Sequence, residues 1–348
     1  MSERFQLIIG DALVSLAEMP SDSVQCVVTS PPYWGLRDYG VPGQMGLEAT
    51  PQEFVARMTE VFREVRRVLR ADGTCWVNMG DSYAGSWGAQ SRDKEGAAEV
   101  SSLSTNQAKA ARKSTRTGSA DRTPGLKAKD LCGIPWRLAF ALQDDGWWLR
   151  RDIIWAKPNP MPESVTDRPA SSHEYLFLLT KSASYYYDHE AVREVGEGKA
   201  WAKKPAAGWQ TGPGGHSTLK HNSGDKQRGH GRRHAGFNDR WDKMEKEEQC
   251  ANGRNCRSVW TIATQPFKEA HFATFPEEIP RRCIAAGTRE GDLVLDPFGG
   301  AGTTAAVALR MLRRAVTIEL NPEYAKMIRA RVSPILNQGD LFAKEAGK

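Results

Sequence analysis

Leu293-Val294-Leu295-Asp296-Pro297-Phe298-Gly299-Gly300-Ala301-Gly302-Thr303-Thr304 is the stretch that decides the fold. Its aliphatic start predicts a buried strand, Asp296 and Pro297 end it, and Gly299, Gly300 and Gly302 make a turn. A helix is expected to continue to Leu312, and Ala315-Val316-Thr317-Ile318 predicts the next strand, closed by Glu319. Such a unit brings backbone N–H groups at a helix start close to a ligand, and glycines remove the side chains that block the approach. An acid about 20 residues beyond the turn can accept both hydroxyls of a ribose. On these features alone a dinucleotide and an adenosyl sulfonium fit equally.

Outward from this unit the chain keeps alternating. Strands are expected at 5–9, 24–28, 74–79, 147–155 and 174–179, and helices from Asp11 to Met19, from Pro51 to Leu69, over 134–142 and over 276–286. The expected fold class is therefore α/β, with a mostly parallel sheet covered by helices on both faces. In such sheets the ligand lies beyond the carboxyl ends of the strands, where Ser30, Asp296 and Glu319 fall.

Periodicity vanishes twice, over 84–130 and over 196–258. These segments hold 9 Lys/Arg against 5 Asp/Glu and 13 against 7, whereas the rest of the chain sums to −4 out of a total of +6. Basic charge confined to two inserts suits a polyanion partner. The expected organisation is a catalytic half (1–83), a basic insert (84–130), a continuation (131–195), a basic target-recognition insert (196–258), a cofactor-binding half (259–335) and a tail (336–348). Forty per cent hydrophobic residues and 11 tryptophans among 348 exclude wholesale disorder. No membrane span or apolar leader is apparent, and the six cysteines lie mostly in apolar stretches, so a cytoplasmic protein with reduced thiols is expected.

Thr29-Ser30-Pro31-Pro32-Tyr33-Trp34 ends the second strand. A base amino group is a poor nucleophile because its lone pair is delocalised into the ring. Methylation at that nitrogen, the chemistry implied by the family resemblance of the next paragraph, needs acceptors that hold its N–H groups, and the Ser30 hydroxyl and Pro31 carbonyl are suited to this. Pro31 and Pro32 fix φ and leave no N–H to compete, while Tyr33 offers a face on which an extruded base can stack. No cysteine follows a proline, as a nucleophile for cytosine C5 would be expected to.

The 296–304 stretch resembles the S-adenosylmethionine motif of the N4/N6 amino-methylating DNA methyltransferases. Ser30-Pro31-Pro32-Tyr33 resembles their catalytic loop, and His271-Phe272-Ala273-Thr274-Phe275-Pro276 the segment covering the methionine end of the cofactor. Catalytic motif early and cofactor motif late is the order of the β-group. The resemblance covers 5–83, 131–195 and 259–333. It implies a Rossmann-like, S-adenosylmethionine-dependent enzyme acting on double-stranded DNA, with catalytic Ser30, Pro31, Pro32 and Tyr33. Asp296, Pro297, Phe298, Gly299, Gly300, Gly302, Thr303 and Phe275 would surround the cofactor, with Glu319 on the ribose and Asp11 near the adenine. For Asp11, a helix N-cap is the competing expectation. Ser in the first position resembles cytosine-N4 enzymes, with adenine N6 the alternative; an RNA enzyme or an inactive DNA-binding relative is the remoter one. His271 is given no role.

DNA contacts are expected from Trp34, Arg37 and Lys157, and from Lys203, Lys204, Arg228, Arg232 and Arg233 in the second insert. His230, His234, Cys250 and Cys256 have irregular spacing, so no metal is expected. A homodimer and a cognate restriction enzyme are the possible protein partners.

Overall fold

Every residue of β2 (Val24–Thr29) is buried, because it lies at the centre of an eight-stranded sheet. The structure is a computed structural model that describes residues 4–35, 40–84, 125–194, 253–265 and 275–345, with side chains to 337. The other strands are β1 (Phe5–Ile9), β3 (Leu69–Met79), β4 (Trp148–Ala156), β5 (His173–Thr180), β6 (Val259–Thr261), β7 (Leu293–Asp296) and β8 (Arg314–Glu319). Their order across the sheet is β1-β8-β7-β2-β3-β5-β4-β6. All pairs are parallel except the two made by β5, which runs antiparallel to β3 and β4. The carboxyl ends of β1, β8, β7, β2, β3 and β4 thus share one edge with the start of β5.

The helices are α1 (Ala12–Ala17), α2 (Pro51–Val68), α3 (Ile134–Asp144), α4 (Glu278–Gly287), α5 (Thr303–Arg310) and α6 (Pro322–Glu345). Helix α2 shows how the sequence specifies them. The Thr50 hydroxyl accepts from the Glu53 N–H at 3.1 Å, Pro51 occupies the first turn, and Phe54, Met58, Val61, Phe62 and Val65 are buried. Contacts divide the chain into two units, residues 1–188 with 257–348, and residues 189–256. The first holds the whole sheet. Within the second, Glu194 and Arg254 exchange both backbone hydrogen bonds at 2.9 Å.

Three expectations need correction. Strand β3 begins at Leu69, not Thr74, because Leu69 leaves α2 in an extended conformation and pairs with Val24. Strand β6 was not anticipated, since three residues show no period. Helix α6 was not anticipated either; Pro334 interrupts its pattern, yet Ala325, Ile328 and Val332 are buried.

Candidate active site

A cavity of about 280 Å³ opens across the shared strand edge, lined by residues following β1, β2, β7 and β8 and by the ends of β3, β4 and β5. Its two halves lie far apart in sequence, but the pairing of β2 with β7 and a side-chain hydrogen bond at their ends join them. Thr29, the last residue of β2, donates to Asp296 Oδ1, the last residue of β7, at 2.7 Å. The same oxygen accepts from the Phe298 N–H at 3.1 Å, which shapes the start of the glycine turn. Asp296 is only 3% exposed, and burial pushes its carboxyl up to about 7 despite these bonds.

The glycines serve different neighbours. A Cβ on Gly299 would meet Thr317 Cγ2 at 2.3 Å, and one on Gly302 would meet Ile328 of α6 at 3.1 Å, so these two admit protein packing. Gly300, with φ +51°, has nothing nearer than 3.9 Å, and it lines the cavity. Its N–H donates to Glu319 Oε2 at 2.7 Å, while Glu319 Oε1 accepts from the Asn321 N–H at 2.8 Å. Burial raises the Glu319 carboxyl, and those N–H bonds pull the other way. A carboxylate has about four acceptor positions, so Glu319 retains room for ligand hydroxyls. Asp11 caps α1, accepting from the Val14 N–H at 3.1 Å, and also lines the cavity, so the N-cap expectation holds there. Phe275, Pro297, Phe298 and Thr303 line it too. Acidic groups, open backbone and aromatic walls in one cavity fit a cationic, hydroxyl-bearing, planar ligand such as S-adenosylmethionine.

On the other side lie Ser30, Pro31, Pro32 and Tyr33. The Tyr33 hydroxyl donates to Glu174 Oε2 at 2.7 Å and accepts from Asn78 Nδ2 at 3.0 Å. Asn78 Nδ2 also reaches Glu174 Oε2 at 2.9 Å, and the Ser30 hydroxyl donates to the Tyr33 oxygen at 3.4 Å. Burial pushes the Tyr33 phenol well above its ordinary range, and the Glu174 charge adds to this. The backbone at Gly80 makes space for the ring: a Cβ there would lie 2.8 Å from Tyr33 Cε2.

Two expected DNA contacts have partners within the protein, and one of them, Lys157, lines the cavity. Trp34 is 3% exposed in the hydrophobic core and donates to the Glu48 carbonyl at 3.0 Å, so its indole is not presented to a nucleotide. Lys157, expected at a phosphate, pairs with Glu174 Oε1 and lies 4.5 Å above the Trp155 ring. Arg37, Lys203, Lys204, Arg228, Arg232, Arg233 and the candidate zinc residues His230, His234 and Cys250 lie outside the described residues. Sequence reasoning missed Asn78 and Glu174. Each is a polar residue beside a buried apolar run, Cys75–Val77 for Asn78 and Leu176–Leu179 for Glu174, which was the available signal.

The DNA methylase family matches residues 24–330. Type II methyltransferase M.Cfr9I of Citrobacter freundii is 48% identical over 319 residues, 91% of this chain and 84% of that protein. Type II methyltransferase M.SmaI of Serratia marcescens is 42% identical over 328 residues, covering 94% and 90%. Among solved structures, the cytosine-N4-specific PvuII DNA methyltransferase superposes with a TM-score of 0.58 at 18% identity, covering 97% of this chain and 93% of its own. A Thermus thermophilus protein solved with S-adenosyl-L-methionine gives 0.53 at 22% identity, covering 95% and 94%. These two likenesses establish the Rossmann-like fold. The sequence matches go further: this chain belongs to the N4/N6 DNA methylase family, whose methyl donor is S-adenosylmethionine.

Proposed function

We propose that this protein is a site-specific methyltransferase that modifies the exocyclic amino group of a base flipped out of duplex DNA, with cytosine N4 the target. The observation that carries this is the one cavity shared by the Ser30–Tyr33 loop and the Asp296–Ala301 stretch of the glycine turn, with Gly302 packed against Ile328 rather than on the cavity wall. S-adenosylmethionine held by Asp296, the glycine turn and Glu319 would supply an electrophilic methyl group for the amino nitrogen, the C–S electron pair staying with sulfur and one N–H proton of the base going to solvent.

This chain's residues orient rather than react covalently. Ser30 Oγ and the Pro31 carbonyl hold the amino hydrogens, which turns the nitrogen lone pair toward the donor. Tyr33 stacks on the extruded base, offsetting an unstacking cost of a few kcal/mol. Asp296 and the glycine turn would hold the methionine end of the donor, with Phe275 over it, Glu319 would take the ribose hydroxyls and Asp11 would serve the adenine side. No cysteine lines the cavity among the described residues, in keeping with direct displacement. The choice of cytosine rests on Ser30, as in the cytosine-N4 enzymes that the loop resembles. Arg37 and the basic residues of 196–258 are proposed to hold the duplex, and the Type II relatives make a cognate restriction endonuclease the expected counterpart.

Nucleoside mass spectrometry of unmodified genomic DNA after incubation with enzyme and donor tests this. N4-methylcytosine is expected. N6-methyladenine alone overturns the base, and absence of methylated base overturns the function.

A further inference from the structure

The geometry points to Glu174 as a positioning residue that sets the direction of the hydrogen-bond chain ending at Ser30, so that Ser30 faces the cavity as an acceptor and selects an amino group. This rests on the amino-methylation reading above. A serine hydroxyl is ambivalent: it can donate to a base carbonyl or accept from a base amino group. What decides is where its own hydrogen goes.

A carboxylate only accepts. Glu174 Oε1 is taken by Lys157, and Oε2 receives both the Tyr33 hydroxyl at 2.7 Å and Asn78 Nδ2 at 2.9 Å. A phenol has one hydrogen. Having given it to Glu174, the Tyr33 oxygen can only accept, and it does so from Asn78 Nδ2 at 3.0 Å. Ser30 Oγ, 3.4 Å from that oxygen, is thereby left to direct its hydrogen toward Tyr33 and its lone pairs away from it. At that distance the contact adds little energy but still orients the hydroxyl.

The Asn78 amide obeys the same constraint. Exchanging its nitrogen and oxygen would set Oδ1 against Glu174 Oε2, so the amide orientation is fixed. Its Oδ1 is buried without a hydrogen-bond partner among the described residues, on a side chain that lines the cavity. With the Ser30 hydrogen directed to Tyr33, the lone pairs of Ser30 Oγ face the cavity beside Tyr33, where they match an exocyclic amino group and repel a keto oxygen. Lys157 completes the chain by pairing with the carboxylate at its origin.

Glu174→Gln tests this, because it keeps the shape while its amide nitrogen can donate to Tyr33 and reverse the chain. Single-turnover transfer of tritiated methyl to unmodified genomic DNA should slow about tenfold or more, with S-adenosylmethionine affinity by calorimetry within about twofold of wild type. In a Tyr33→Phe background, which cuts the link, the same substitution should add less than about twofold. Wild-type turnover in Glu174→Gln, or losses that multiply in the double variant, overturn the inference. Glu174→Asp separates polarity from packing: it only accepts, so it should recover much of the lost rate, and a loss equal to that of Glu174→Gln overturns the inference even if the Gln variant melts early. A wild-type enzyme that puts no methyl on DNA is a different failure, that of the functional reading.

Discussion

Asp296 carries a conflict between stability and function in one side chain. Its carboxyl rests at about 7 in the folded protein against an ordinary 3.8, because burial disfavours its charge. The folded state therefore holds the proton more tightly than the unfolded chain. The resulting stabilisation is fully present below about pH 3.8, fades as pH rises through about 7, and changes no further above that, at about 1.4 kcal/mol per unit within the window. Asp296→Asn keeps an oxygen to accept from Thr29 and Phe298 but carries no charge. Its melting temperature should gain on the wild type between pH 5 and about 7 and then hold a constant lead, while its donor affinity falls. A lead independent of pH would show that Asp296 is not the titrating group. At this scale, residues in the two local motifs were legible because each motif is contiguous in sequence. Glu174 and Asn78 were not, because they meet Tyr33 only through the antiparallel pairing of β5 with β3, where Asn78 lies opposite Leu176.

Elements were legible where a cap, a period and a breaker agreed. Helix α2 had all three, and its observed bounds differ from expectation by one residue. It also allows a control for the active-site variants. Thr50 lies in the cap, outside the cavity lining, and removing its hydroxyl leaves the Glu53 N–H without its side-chain partner. Thr50→Ala should cost about 1 kcal/mol by urea denaturation and leave methyl transfer per folded molecule unchanged. A large loss of turnover with normal stability would mean that α2 positions the site more directly than its packing indicates. Helix α6 was illegible for a physical reason that also explains its importance. Its buried residues are few, with Pro334 beyond them, but Ile328 packs against Gly299 and Gly302. The glycine turn thus serves a helix as well as a ligand, and the ligand-centred reading of the sequence saw only half of its role.

At the scale of the whole molecule, charge separates what the sheet does from what the inserts do. The segments outside the two inserts sum to −4, although the site is proposed to act on a polyanion. Attraction to DNA is therefore proposed to fall to the inserts, above all to 196–258, with 13 Lys/Arg against 7 Asp/Glu. Glu194 and Arg254 are joined by two backbone hydrogen bonds in an isolated antiparallel bridge. Gly253 is required there, since it has φ +67° and a Cβ on it would lie 2.6 Å from the Glu194 carbonyl oxygen. A deletion of 199–250 bridged by a short glycine-serine linker keeps the Glu194–Arg254 pair and every cavity-lining residue among the described residues. Donor affinity by calorimetry should therefore remain within about twofold of the full chain. Duplex affinity should collapse, and the dependence of log affinity on log salt should flatten, since each lost phosphate contact removes about 0.9 from the slope. Unchanged duplex affinity across the salt titration would reassign DNA binding to the sheet's own surface and the 84–130 insert. Loss of donor binding as well would mean that the insert supports the cofactor half, and the division of labour inferred from charge would fall.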